Sequence, residues 1–119
     1  MILRESPLRI KSYAFAIRII KLVKYLNSNK KEYILSKQVL RSGTAIGALV
    51  REAEFGQSKA DFINKLSIGL KEANETNYWL SLLKDSDYIS YPEFQSISSD
   101  CEELMKILIT SIKTAKNNK

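Results

Sequence analysis

Apolar positions recur along this chain at spacings of three and four from Ser6 onward, and no segment alternates as a strand does, so the pattern predicts helices throughout. Ser6 and Pro7 supply an N-cap and a first-turn proline for a helix running to about Leu26, and Asn27 to Lys31 forms the first turn. A second helix begins between Tyr33 and Ser36 and ends near Phe55, where Gly56 is expected in the left-handed conformation that closes a helix. Ser58, with Asp61 three residues on, opens a third helix that persists to about Lys84. Ser90-Tyr91-Pro92-Glu93 opens the fourth, whose stripe of Phe94, Ile97, Cys101, Leu104, Met105, Leu108, Ile112 and Ala115 is the cleanest in the chain. The tail from Lys116 to Lys119 is expected to fray. Short connections between four helices, at approximately 7–26, 34–55, 59–85 and 91–116, predict one all-α domain over 1–119, an antiparallel up-down-up-down four-helix bundle.

The segment Gln38 to Ala53 is unusual because small residues fill it beside its apolar edge. Leu35, Val39, Ser42, Ile46, Leu49 and Ala53 share one helix face, and Lys37, Arg41, Thr44, Ala48 and Arg51 share the opposite one. Gly43 and Gly47 each cost such a helix about 1 kcal/mol relative to Ala, which points to a neighbour that leaves no room for a Cβ. That neighbour is either another helix of the same subunit or a ligand.

Two helices carry more apolar surface than one core needs. On helix three Phe62, Ile63, Leu66, Leu70, Ala73 and Leu80 suit the core, with Asn77 as a polar interruption that needs a partner if buried. Ile68, Trp79, Leu82 and Leu83 fall on the other arc, interleaved with Glu72 and Glu75. Helix one has the same excess in Tyr13, Phe15, Ile17, Ile19, Ile20, Leu22 and Tyr25. Apolar surface on both sides of a bundle predicts a homo-oligomer, with Ile68, Glu72, Glu75, Trp79 and Leu82 as its expected interface.

Composition narrows the chemistry. The 119 residues contain no histidine, which removes the commonest general base and metal ligand, and a single Cys101, which cannot form an internal disulfide. Cys101 lies in the apolar register of helix four and reads as an inert buried thiol rather than a nucleophile. Glu72 and Glu75 invite a di-iron reading, but such sites also use Glu-x-x-His pairs, so salt bridges to Arg41 or Arg51, within or between subunits, are the expected role. No enzyme activity, cofactor or metal is expected. The first residues are charged and contain no apolar stretch of signal-peptide or membrane-span length, so a cytoplasmic protein without membrane contact is the expectation.

Charge is divided along the chain. Residues 1–51 carry eleven Lys and Arg against two acids, whereas residues 52–119 carry eight against eleven. On helix one Lys11, Arg18, Lys21 and Lys24 share a broad arc, and on helix two Lys37, Arg41 and Arg51 share a narrower one. These seven cations are the candidate contacts for phosphate backbones, the alternative being a solvated face that only keeps the protein soluble.

The stretches LSKQVLRSGTAIGALVREA (35–53) and SKADFINKLSIGLKEANETNYWLSLLK (58–84) resemble the small four-helix-bundle family encoded within intervening sequences of bacterial 23S rRNA genes, often labelled S23 ribosomal protein. The resemblance spans about residues 8–115. It implies a ring-like homopentamer that binds nucleic acid, RNA ahead of DNA. The chain is also similar to the accessory proteins of diversity-generating retroelements, basic pentameric bundles that bind nucleic acid and a reverse transcriptase. That likeness implies a second role, as an adaptor ring that recruits a protein partner. One departure stands out: where the family commonly reads Ser-Ile-Gly-Ala-Asn, this chain has Ala45-Ile46-Gly47-Ala48-Leu49, so polar contacts from that Ser or Asn are absent.

Overall fold

The computed structural model describes residues 6–118; Arg4 and Glu5 of the charged N-terminus and Lys119 of the tail lie outside them. Four helices run α1 (Pro7–Asn29), α2 (Leu35–Glu54), α3 (Lys59–Asp85) and α4 (Tyr91–Asn117). Each packs on its neighbours in sequence, and α1 meets α4 to close a bundle of 49 × 21 × 20 Å. This is the antiparallel four-helix bundle the apolar pattern predicts.

The helix starts follow local chemistry. The hydroxyls of Ser6, Ser58 and Ser90 accept the N–H groups of Arg9, Asp61 and Glu93, each satisfying a donor that the first helical turn leaves orphaned. Glu93 returns the bond by accepting the N–H of Ser90, completing a capping box. Elsewhere the structure corrects the sequence reading. α1 continues to Asn29, and α4 extends through Lys116 and Asn117. Gly56 does not take a positive φ; the left-handed residues are Lys31 (φ 55°) and Asp87 (φ 65°).

The buried seam of α3 is Phe62, Leu66, Gly69, Ala73, Thr76, Leu80 and Leu83, a strict alternation of four- and three-residue steps. A 3.5-residue repeat drifts by about 20° per heptad from a straight helix, so over three heptads the seam reaches Leu83. Leu83 is therefore fully buried in the core and not on the outer arc where a 3.6-residue wheel puts it. Ile63 and Leu70 flank the core, half-buried. Two polar pairs join neighbouring helices: the Thr76 and Ser42 hydroxyls share a hydrogen bond at 2.8 Å, and Ser98 donates to the Asn77 side-chain oxygen at 2.7 Å, whereas one carboxylate oxygen of the buried Glu54 has no partner among the described residues. Asn77 thus has the partner its position demanded.

The two glycines of α2 differ. A Cβ on Gly43 would lie 2.7 Å from Cγ1 of Ile19, so α1 packs here against bare backbone. On Gly47 the nearest atom would be the Ser12 carbonyl oxygen at 3.4 Å, an ordinary contact. Close approach is the reason for Gly43 and not for Gly47.

Candidate nucleic-acid interface

The seven candidate cations separate into two groups once the helices are assembled. Lys11 donates to Glu103 at 2.7 Å, and Arg18 donates to Asp100 at 2.8 Å and to the Ser96 carbonyl at 3.1 Å. Asp100 and Glu103, three residues apart on α4, face cations seven apart on the antiparallel α1 and neutralise that edge. Arg41 is held by Glu72 at 3.2 Å and by Glu75, so the ion pairing expected for those carboxylates forms within one subunit. These three cations are spoken for.

Lys21, Lys24, Lys37 and Arg51 are exposed and make no ion pair among the described residues. All four belong to the α1–α2 hairpin, but Lys21 borders α4 beside Glu93 and Ile97, and Arg51 lies at the far end of α2 from the three lysines. Between Pro7 and Arg51 the one acid is Glu32, and it is buried at 7 % exposure. Its carboxylate accepts the N–H groups of Ile34, Leu35 and Ser36 at 2.7–3.0 Å, replacing the missing N-cap of α2. Burial raises the pKa of this carboxyl, but the backbone donors and the Ser36 side chain outweigh it and leave the value below the ordinary one. Lys30 and Lys31, absent from the candidate set, are also exposed at the tip of the hairpin. Their adjacency in a turn beside Lys24 and Lys37 was the signal available in the sequence.

An apolar strip accompanies these charges. Ile10, Tyr13, Ile17 and Ile20 on α1 are 57 %, 62 %, 39 % and 37 % exposed, and a groove of about 420 Å³ beside them is floored by Ala16, Thr44, Gly47 and Ala48. On α3, Ile68 and Leu82 are half-buried, and Trp79 packs against the core while its indole N–H donates to Glu75 at 2.9 Å. The excess apolar surface on α1 is therefore open, and that on α3 is partly absorbed. The single thiol is inert: burial first, then the nearby carboxylates of Glu102 and Asp100, push the Cys101 pKa up to about 12, and the group donates to the Ala73 carbonyl. No helix among the described residues is long and apolar enough to cross a membrane.

A family model for 23S rRNA-intervening sequence proteins matches residues 5–110, nearly the whole chain. The protein belongs to that family. A crystal structure of a protein of unknown function from the S23 ribosomal protein family of Bacteroides thetaiotaomicron is similar to it, with 56 % identity, coverage of 89 % of this chain and 95 % of that one, and a TM-score of 0.89. Among curated proteins no relative matches. The family and the neighbour carry no indication of an enzymatic activity.

Proposed function

We propose that this 23S rRNA-intervening sequence family member is a non-enzymatic, self-associating bundle that binds nucleic acid, RNA ahead of DNA, through the cations of its α1–α2 hairpin that no carboxylate pairs. One observation carries the reading: carboxylates of α3 and α4 neutralise Lys11, Arg18 and Arg41, whereas Lys21, Lys24, Lys37 and Arg51 are left to solvent. Phosphate contact requires only such charges, and several copies in one assembly would multiply a weak site.

Self-association follows from the apolar faces. α1 and α3 occupy opposite corners of the bundle, so the open strip of Ile10, Tyr13, Ile17 and Ile20 on one copy meets the outer arc of Ile68, Trp79 and Leu82 on the next. Two different faces in contact propagate head to tail and close into a ring when the rotation between copies allows it, five copies being what the family resemblance implies. The adaptor reading is supported by the same basic face, which suits an acidic protein surface equally well. Titration of labelled RNA at several salt concentrations, with and without an excess of an acidic protein, separates the two. Salt-dependent binding that survives the competitor supports the nucleic-acid reading. Binding no tighter than about 0.1 mM at physiological salt is non-specific attraction and leaves the adaptor reading ahead.

A further inference from the structure

The tip of the hairpin differs from the rest of the basic face because it combines charge with an exposed aromatic ring. Tyr33 is 55 % exposed in the turn, Ile34 beside it is 78 % exposed, Lys31 lies in the turn, and Lys24 and Lys37 flank it on the last turns of α1 and the first turn of α2, all three exposed and with no ion pair among the described residues. Lys30 completes the cluster, although it lies close enough to Glu93 to help lower that carboxyl's pKa, after the larger effects of the Ser90 N–H and hydroxyl.

The turn is also tied by hydrogen bonds. Lys30 and Glu32 both donate their N–H groups to the Leu26 carbonyl, Glu32 ties down the next three residues, and the Ser36 hydroxyl donates to Asn27 at 3.1 Å. Within it Lys31 is held at φ 55°, a conformation that costs an ordinary side chain free energy and that Gly, Asn or Asp adopts more readily. The other left-handed residue, Asp87, is of the tolerant type; Lys31 is not. Gly or Asn would adopt this conformation at lower cost, whereas lysine puts a cation in the middle of a basic, aromatic tip.

We propose that this tip is a binding site for single-stranded nucleic acid, in which Tyr33 stacks on an unpaired base while Lys24, Lys31 and Lys37 hold the adjoining phosphates. The inference rests on the nucleic-acid reading above and names its substrate class. A duplex keeps its base faces stacked on one another and offers a protruding tyrosine nothing to stack on, whereas a single strand or loop does. No set of side chains at the tip is arranged to read base edges, so tolerance of sequence is expected with preference for unpaired strands.

The test is fluorescence anisotropy with labelled oligouridylate, oligothymidylate of the same length and a blunt RNA duplex at one salt concentration. The parent protein should bind the single strands more tightly than the duplex, and preference between the two single strands tells whether RNA or DNA is favoured. Tyr33→Ala should weaken single-strand binding by roughly 5- to 150-fold and leave duplex binding nearly unchanged, and Tyr33→Phe should restore it. Lys31→Gly should weaken binding while leaving the melting temperature equal or higher, a combination that damage to the fold does not produce. Duplex binding as tight as single-strand binding, or indifference to Tyr33→Ala, overturns the proposal and leaves the broader reading standing. Absence of salt-dependent binding to every probe removes both.

Discussion

Alanine at Gly43 and alanine at Gly47 are the same substitution four residues apart on one helix, and the packing predicts opposite signs. A Cβ at Gly43 would meet Ile19 at 2.7 Å from Cγ1, 3.0 Å from Cγ2 and 3.1 Å from Cδ1. Unstrained carbon contacts lie at about 3.5–4.0 Å, so the closest pair is short by roughly 0.8 Å. Ile19 is fully buried, and its β-branched side chain has one strongly preferred χ1 in a helix, so it cannot swing aside. Overpacking of this kind costs about 1–3 kcal/mol, against about 1 kcal/mol gained in helix propensity. The net loss is about 1 kcal/mol, or about 4 °C in melting temperature for a domain of this size. At Gly47 the new methyl meets the Ser12 oxygen at 3.4 Å, and the propensity gain of up to about 1 kcal/mol survives. Urea unfolding at one fixed protein concentration reads both changes. Ile19→Ala alone should cost about 2–5 kcal/mol, and on that background Gly43→Ala should become stabilising, a coupling of about 1–3 kcal/mol. A Gly43→Ala variant as stabilised as Gly47→Ala would refute the close crossing of α1 and α2.

Other outcomes follow from single residues. Glu32 has its pKa depressed in the folded protein, so its contribution is present above the unfolded carboxylate value of about 4.3 and is lost as pH falls through the lower folded value; Glu32→Gln should flatten that acid limb in a stability–pH profile. Cys101 should resist a thiol reagent at pH 8 in the native protein and react on unfolding in urea; rapid native labelling would contradict its burial. Ile17→Gln and Tyr13→Gln on the open strip should shift light scattering toward smaller species without loss of helicity, and an unchanged mass would exclude α1 from self-association.

Much of the fold was legible because its signals are local. The serine caps at positions 6, 58 and 90 and the stripe of α4 depend on residues within a turn or two of one another, and they place the helices without tertiary information. The place of Leu83 is hidden in the sequence because the α3 seam follows a 3.5-residue repeat whose Gly69 and Thr76 positions are not hydrophobic, which conceals the drift from a simple wheel. The left-handed turn at Lys31 is not legible because lysine gives no local signal for it. Within the candidate site, the pairing of Arg41 with Glu72 and Glu75 was anticipated, but the neutralisation of Arg18 and Lys11 was not. Their carboxylate partners lie 82 and 92 residues away on α4, and the relative rotation of two helices that brings them together is not written in either one alone.

That division of cations is the centre of the functional account, and one comparison tests it most directly. Lys21→Gln with Lys24→Gln and Lys11→Gln with Arg18→Gln remove the same charge from the same helix. RNA affinity for each pair should be measured as a function of salt beside the parent protein. If the unpaired lysines contact phosphates, the first pair should lower the slope of log affinity against log salt by about two, roughly one per lost contact, and the second should leave it near the parent value. Equal loss of slope in both pairs, or a loss confined to Lys11 and Arg18, would contradict the account.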